Sequence, residues 1–348
     1  MCTPVKHPVM PGLSISRVRP VNLREGDISY FEEDLVSELP DVYLVHKKNI
    51  FATSDGFLFS GLRILRLTLP GLKARSMYFT LKDRLKFYFL NCLKFLFVKK
   101  LPGEDYLWIT DVWSFGFFHW MTEALPRLVV AQERIGGIQN LLLPQKLEEF
   151  PFVQASLRPL FSGNIVFTDK ISCCSRLCIP THIASPGNYS EYLVRRLRTS
   201  YTKAYPCLHG SKDWPEKLYI SRGKASKRRI LNEDICIGIL ESYGFHALYM
   251  EDYDFESQVC IARSAKFLIS NHGGGLTNIL FMQEGSSVME LRKIGDRHNN
   301  CYFNLASAMG VRYFYQLCQA FAPDEDSHTA DLIVDCEKLK KNIELMLA

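Results

Sequence analysis

The sequence predicts an α/β protein with a parallel sheet in its second half. Short apolar segments alternate there with helical segments of about ten residues, an alternation typical of βαβ units. The length of 348 residues favours two domains, and a composition of 47% hydrophobic and 23% charged residues is that of an ordinary globular protein. We therefore expect residues 1–205 to form one domain and residues 206–348 another.

In the first half we expect four strands, near residues 41–45, 106–109, 141–143 and 165–167. A helix is expected from Phe118 to Arg134, with a kink at Pro126 because proline lacks the backbone N–H. Residues 206–215 contain prolines, a glycine and a serine, and are expected to link the domains.

The second half is expected to continue as alternating strands and helices. Asn232 and Asp254 are expected to be N-caps, and Gly244 is expected to end the first helix. The predicted elements are a strand at 218–221, a helix at 233–243, a strand at 246–250, a helix at 255–263, a strand at 267–270, a helix from about Leu276 and a closing helix at 335–347.

A glycine-rich turn follows the strand at 267–270. Gly273, Gly274 and Gly275 carry no Cβ, so a ligand can approach their backbone closely. The expected helix behind them offers unpaired N–H groups to an anion such as a phosphate, and Asn271 and His272 add side-chain donors. The turn by itself is not specific to a ligand site.

A run of basic residues follows the strand at 218–221. It contains five cations and no acid: Arg222, Lys224, Lys227, Arg228 and Arg229. Ligands of parallel sheets bind beyond the carboxyl ends of the strands, so this run and the glycine turn are expected to face one crevice. The alternative is an ordinary solvated surface.

Three segments together resemble glycosyltransferase family 61. They are Tyr219-Ile-Ser-Arg222 with the following Arg229-Ile-Leu-Asn-Glu233, the segment from Asn271 to Asn278 with the later Gly285–Glu290, and Phe117-Phe-His-Trp120 with Leu125-Pro-Arg127. The chain departs from the family pattern in having three successive glycines at 273–275 and Ser257 before Gln258. The resemblance spans roughly residues 105 to 295 and keeps the family's order.

The resemblance implies a GT-B-type fold, in which two Rossmann-like domains flank a cleft, and inverting sugar transfer from a nucleotide-diphosphate sugar. We expect a UDP-linked donor, no cofactor, no metal, and a glycan or lipid-linked acceptor in cell-surface polysaccharide (capsule) synthesis. Residues 1–205 would be the acceptor side. The donor-binding candidates are Arg222, Arg228, Arg229, Asn271, His272, Gly273, Gly274, Gly275, Leu276, Thr277, Asn278 and Glu290.

Inverting transfer requires a base that removes the proton of the acceptor hydroxyl. The candidates are His119, Glu123 and Asp111, of which His119 is favoured. His119 and Glu123 are four residues apart and would share one helix face. His119 among aromatic residues is also compatible with a buried core histidine. Glu290 is expected to bind ribose hydroxyls, or else to be a surface carboxylate at a strand end.

Three other interpretations start from parts of the same sequence. An esterase with a His-Gly-Gly-Gly oxyanion loop would need a Gly-x-Ser-x-Gly motif, which the sequence lacks. The Asp-x-Asp pairs at 252–254 and 324–326 have the spacing of a metal site, but arginines already supply positive charge at the expected diphosphate. A non-catalytic nucleotide- or glycan-binding module is the alternative function.

Residues 72–100 combine eight basic residues with one acid and many aromatics. The segment is expected to contact an anionic membrane peripherally, or else to pack as an ordinary helix with solvated lysines. The net charge of +5 is modest, and no nucleic acid is expected. Eleven cysteines without metal-site spacing predict reduced thiols. With no recognisable signal peptide, a cytoplasmic location at the inner face of the membrane is expected.

Overall fold

A computed structural model of the chain describes residues 5–61, 63–70, 97–169, 171–207, 214–322 and 324–348. Most of the basic segment 72–100 and the centre of the expected linker 206–215 lie outside the described residues. Within the described ranges, no helix is long and apolar enough to cross a membrane.

The chain forms two compact units that differ from the expected division. The first unit comprises residues 1–13 and 39–186, and the second comprises residues 14–38 and 187–348. Residues 187–205 join the second unit because their helix packs there, with Tyr201 against the rings of Phe255 and Phe281. Residues 14–38 also belong to the second unit, although they are far from its other residues in the sequence. A domain boundary predicted from linker composition cannot detect such an arrangement. The acceptor and donor roles of the two halves stay predictions.

A mixed sheet dominates the first unit. The strands are β1 (Val5–Met10), β4 (Val42–Ala52), β5 (Leu58–Ser60), β6 (Arg63–Ile64), β7 (Lys99–Lys100), β8 (Asp105–Leu107), β9 (Asn140–Pro144), β10 (Asn164–Thr168) and β11 (Ser172–Pro180). Their central order is β10-β9-β8-β11-β4-β5-β6, with β1 paired to β4 and β7 to β11. The pairs β10/β9, β9/β8 and β8/β11 are parallel, whereas β11/β4 is antiparallel.

The second unit contains the parallel sheet that the sequence predicts. The strands of this sheet are β12 (Lys217–Ile220), β13 (His246–Leu248), β14 (Phe267–Asn271), β15 (Ser287–Lys293), β16 (Arg312–Ala320) and β17 (Leu332–Ile333). Their order is β13-β12-β14-β15-β16-β17, and all pairs are parallel except the last. A separate two-stranded sheet is formed by β2 (Leu13–Ser16) and β3 (Val36–Leu39).

The described α-helices belong to both units. Their described bounds are Phe117–His119, Leu125–Arg134, Pro151–Leu157, Glu191–Ala204, Glu233–Ser242, Phe255–Ser264, Cys301–Met309 and Cys336–Leu347. Asp254 is the predicted N-cap, accepting from the Ser257 N–H at 2.8 Å. The closing helix packs on the second unit's own core through Leu339, Ile343 and Met346.

Three local predictions need correction. The helix expected near Leu276 is a 3-10 helix over Gly274–Phe281, in which Asn278 bonds the Gly275 carbonyl at 3.0 Å and competes with α-helical pairing. Asn232 gives no cap hydrogen bond, because its Oδ1, the atom that would accept at a cap, accepts from the Val334 N–H at 3.0 Å. The distortion expected at Pro126 is a π-helical turn over Trp120–Ala124, directly before the proline.

Candidate functional site

The glycine turn lies at the point where the strand order of the second unit reverses. Counted from β12, the parallel strands have the spatial order 2-1-3-4-5, so the chain leaves β12 in one direction and returns on the other side with β14. Ligands of such sheets bind beyond the carboxyl ends of the two strands that flank this reversal. Arg222 follows β12 and His272 follows β14. The sheet therefore brings these two predicted residues to the same edge.

Arg222 lies against the first glycine of the turn. A Cβ at Gly273 would be 2.2 Å from Arg222 Nη1 and 2.7 Å from its Cζ. Gly273 has an extended backbone with φ of 166°, so the position needs glycine for space and not for conformation. The other end of the guanidinium donates to the Lys227 carbonyl at 3.3 Å. The guanidinium thus rests on the turn itself.

Arg228 shares this edge with Arg222. Asn271 donates a hydrogen bond to the Arg228 carbonyl, which ties the basic loop to the end of β14. Burial lowers the pKa of Arg222, and the nearby charge of Arg228 lowers it further. The Nε atoms of both arginines are buried without a hydrogen-bond partner in the described structure. Two adjacent, incompletely bonded cations favour an anionic ligand that accepts from both.

The His272 ring is hydrogen-bonded to a buried carboxylate. Its Nδ1 bonds Glu290 Oε1, and Tyr313 donates its hydroxyl hydrogen to Glu290 Oε2. Burial alone would raise the pKa of Glu290, but the charge and hydrogen bond of His272, the charge of Arg292 and the Tyr313 hydrogen bond lower it. Glu290 is therefore ionised, and it orients the His272 ring.

This position of Glu290 differs from the expected one. The residue lies inside β15 and is fully buried, and it is not a carboxylate at a strand end. Both carboxylate oxygens accept hydrogen bonds, from His272 and from Tyr313, and the binding of ribose by Glu290 stays a prediction. Sequence reasoning missed Tyr313, since β16 lies far from the motif along the chain.

The other predicted donor-site residues divide into two groups. Leu276, Thr277 and Asn278 are buried in the 3-10 helix and support the turn from within. Arg229 is exposed and pairs with Asp331 at 3.0 Å, while its backbone N–H donates to the same carboxylate at 2.7 Å. The structure therefore separates Arg229 from Arg222 and Arg228, and Arg229 serves to fasten the basic loop.

The described residues contain no group of three or more His, Cys, Asp or Glu side chains arranged to hold a metal ion. Of the first Asp-x-Asp pair, Asp252 bonds Lys224 at 2.5 Å and Asp254 caps a helix. In the second pair, Asp326 accepts from the His328 N–H at 2.8 Å. Each described carboxylate named here already has a structural partner.

The first unit holds the predicted acid–base residues. His119 Nδ1 lies 2.9 Å from Glu123 Oε1, across the π-helical turn, and the ring packs beside Trp113 and Phe118. Burial opposes protonation, but the hydrogen bond and charge of Glu123 outweigh it and raise the pKa of His119. Glu123 Oε2 is buried and has no hydrogen-bond partner among the described residues. That oxygen is suited to accept from a hydroxyl group.

Asp111 is a buried carboxylate with three hydrogen-bond partners. Its side chain is 1% exposed, Oδ1 accepts from the Trp113 N–H at 2.9 Å and the Ser114 hydroxyl at 3.0 Å, and Oδ2 is 3.0 Å from His182 Nε2. Asp111 as a base stays a prediction. His182 was missed by sequence reasoning; the signal was a polar residue directly after a strand parallel to β8.

Arg127, the arginine of the Leu-Pro-Arg segment, supports this cluster. Its Nε and Nη2 donate to the Pro180 carbonyl at 3.0 and 2.7 Å. Burial lowers its pKa to about 10, although the charges of Asp111 and Glu123 act in the opposite direction. The buried guanidinium thus compensates two carboxylates and fixes the end of β11.

The second unit is thus an α/β unit with an arginine-lined glycine turn at its switch point. The first unit carries two imidazole–carboxylate pairs, which can take part in proton transfer. Comparison with known proteins specifies the family. A model described as Glycosyltransferase 61 matches residues 117–289, which include His119, Arg222 and His272. The chain belongs to glycosyltransferase family 61.

Curated relatives are each named EGF domain-specific O-linked N-acetylglucosamine transferase. The Drosophila melanogaster protein is 32% identical over 145 residues, which cover 40% of this chain and 26% of the relative. The Mus musculus protein is 26% identical over 147 residues, with the same coverage. The Bos taurus protein is 27% identical over 130 residues, covering 36% of this chain and 23% of the relative. The chain therefore matches about a quarter of the length of these relatives.

Proposed function

We propose that this chain transfers a sugar from a nucleotide-diphosphate donor to an acceptor hydroxyl. The observation that carries the proposal is the pair of guanidinium groups of Arg222 and Arg228, with unbonded Nε atoms, beside the glycine turn at the switch point. A diphosphate presents several oxygens that can accept from both arginines and from the turn's N–H groups. These donors stabilise the charge that grows on the diphosphate as the sugar leaves.

We propose UDP as the nucleotide and N-acetylglucosamine as the first sugar to test. The support for the sugar is the printed activity of the relatives, which are O-linked N-acetylglucosamine transferases. The acceptor is a hydroxyl group of a glycan, a lipid-linked saccharide or a protein side chain. The cell-surface polysaccharide setting and a cytoplasmic, membrane-associated location stay predictions of the sequence alone.

The transfer is proposed to invert the sugar and to need no metal. In a single displacement the acceptor oxygen attacks the anomeric carbon while the bond to the diphosphate breaks, so one base must remove the acceptor proton. His119 and Glu123 are candidates because Glu123 Oε2 is buried and unbonded beside the His119 ring. The GT-B interpretation is supported by two compact units and the parallel sheet of the second.

The test is donor-dependent transfer by the purified chain, in EDTA, with a panel of UDP-sugars and sugar or hydroxyl-peptide acceptors. We expect UDP release that depends on both substrates. In parallel, UDP at about 100 times its dissociation constant should stabilise the fold by about 2.7 kcal/mol. Binding without UDP release or transfer would favour the non-catalytic module, and no binding of any nucleotide diphosphate would overturn the donor-site assignment.

A further inference from the structure

His182 has the geometry of an acid–base residue, a role that neither the sequence motifs nor the family match assigns to it. His182 follows β11, and Asp111 follows β8. These two strands are parallel neighbours, and Cys178 of β11 pairs with Leu107 of β8. Both side chains therefore leave the same edge of the sheet, and Asp111 Oδ2 meets His182 Nε2 at 3.0 Å. The imidazole remains 23% exposed, whereas the carboxylate is 1% exposed.

Asp111 determines which ring nitrogen of His182 carries hydrogen. Burial alone would raise the pKa of Asp111, but the hydrogen bond and charge of His182, the charge of Arg127 and the Trp113 N–H lower it, so the carboxylate is ionised. An ionised carboxylate only accepts hydrogen bonds. His182 Nε2 therefore donates to it, which leaves Nδ1 as the ring nitrogen that can take up a proton.

The backbone around His182 is fastened on both sides. Arg127 holds the Pro180 carbonyl with two hydrogen bonds, at 3.0 and 2.7 Å. Thr181 exchanges backbone and side-chain hydrogen bonds with Tyr43, at 2.9 and 3.0 Å. A partly exposed imidazole that is aimed by a buried carboxylate and a fixed strand end is the arrangement of a general base held by an orienting group.

His119 is less suited to that role than the motif match suggests. Its ring packs against the rings of Trp113 and Phe118, at centroid distances of 5.2 and 5.0 Å. The raised pKa of His119 keeps more of it protonated at neutral pH, where a base must be unprotonated. The pair of His119 and Glu123 is better suited to hold the acceptor through the unbonded Glu123 Oε2.

We propose that His182 is the general base of the transfer and that Asp111 is its positioning residue. The inference rests on the proposed transferase function. The proton of the acceptor hydroxyl moves to His182 Nδ1 while the acceptor oxygen forms its bond to the anomeric carbon. The bond between that carbon and the diphosphate oxygen breaks, its electron pair leaves with UDP, and the proton on His182 is then lost to water.

The experiment compares His182→Ala and His182→Gln with the wild type and with His119→Ala. We expect kcat of both His182 variants to fall on the order of 10²–10⁴-fold while UDP affinity stays near the wild-type value. Free imidazole should restore transfer by His182→Ala but not by His119→Ala, because only the first lacks the base. Glutamine can still donate to Asp111, so His182→Gln separates loss of the base from loss of the fold. His246→Gln, at an exposed position in the second unit, is the neutral control.

Two results would overturn the inference while the wild type transfers sugar. One is a folded His182→Gln variant with near-normal kcat. The other is a His182→Ala variant that loses transfer activity and does not regain it with imidazole, because that result indicates a structural role for His182. Absence of transfer by the wild type would instead contradict the proposed function itself, so the two failures are distinguishable.

Discussion

Replacing Gly273 by alanine should weaken nucleotide binding by moving Arg222, with little effect on the fold. The new Cβ would lie 2.2 Å from Arg222 Nη1, 2.7 Å from Cζ and 3.0 Å from Cδ. These atoms belong to the outer part of a long side chain that can rotate away. Alanine also accepts the extended backbone at this position, where φ is 166°. The substitution therefore displaces a guanidinium and does not strain the turn.

The size of the effect follows from the contact that is lost. A hydrogen bond to a charged group contributes about 1.5–3 kcal/mol, so losing the Arg222–phosphate contact should raise the UDP Kd about 10- to 150-fold. Gly274→Ala is the matched control, because a Cβ there meets no atom within 4 Å and its φ is not in the left-handed region. Gly274→Ala leaves Arg222 in place and keeps the backbone N–H, so we expect a smaller rise in Kd than in Gly273→Ala.

Isothermal titration calorimetry with UDP measures Kd for each variant, and a double-mutant cycle with Arg222→Ala tests whether Gly273 acts through Arg222. If Gly273 acts through Arg222, adding Gly273→Ala to Arg222→Ala should change Kd little, because the two changes remove the same contact. Equal losses in Gly273→Ala and Gly274→Ala, or additive losses in the double variant, would refute it. Those outcomes would mean that Gly273→Ala acts on the turn itself and not through Arg222.

Three further predictions concern stability. Glu290→Gln should cost about 3–5 kcal/mol at neutral pH, since it removes a fully buried carboxylate that is bonded to His272 and Tyr313 and faces the charge of Arg292. The folded pKa of Glu290 is depressed, so its contribution is present above the unfolded pKa and is lost as pH falls through the folded pKa; urea unfolding of wild type and variant should therefore converge in acid. Phe31→Ala should cost about 3–5 kcal/mol, because Phe31 is fully buried against Phe303, Tyr313 and Tyr315, whereas Phe321→Ala at an exposed site should be near neutral in the same assay. Asp254→Ala should lower stability by about 1 kcal/mol through loss of the helix cap, and an unchanged melting temperature would contradict that role.

The elements of the parallel sheet could be predicted because each one is a local pattern. The strand at 267–270 and the helix at 255–263 are found within a residue of the expected bounds, since alternation of apolar strands and amphipathic helices is encoded within each segment. Arg222 and His272 each follow a predicted strand, so they could be brought to one edge from the sequence, whereas the strand order that makes this edge a switch point comes from the structure.

The remaining features depend on contacts between distant parts of the chain. Glu290 is buried because Tyr313 and His272 surround it, and neither partner is adjacent in sequence. His182 gains its orienting carboxylate only because β8 and β11 are parallel neighbours, 71 residues apart at that contact. Phe31 joins the second unit across more than half of the chain. No local pattern encodes such pairings.

A crystal structure of the chain with UDP, grown in EDTA, tests the central claim most directly. The account predicts that phosphate oxygens lie within hydrogen-bond distance, about 3 Å, of the guanidinium nitrogens of Arg222 and Arg228 and of the backbone N–H groups at the turn formed by residues 273–275. UDP bound away from this turn, or UDP that binds only when a divalent cation is added and contacts carboxylates through it, would contradict the account.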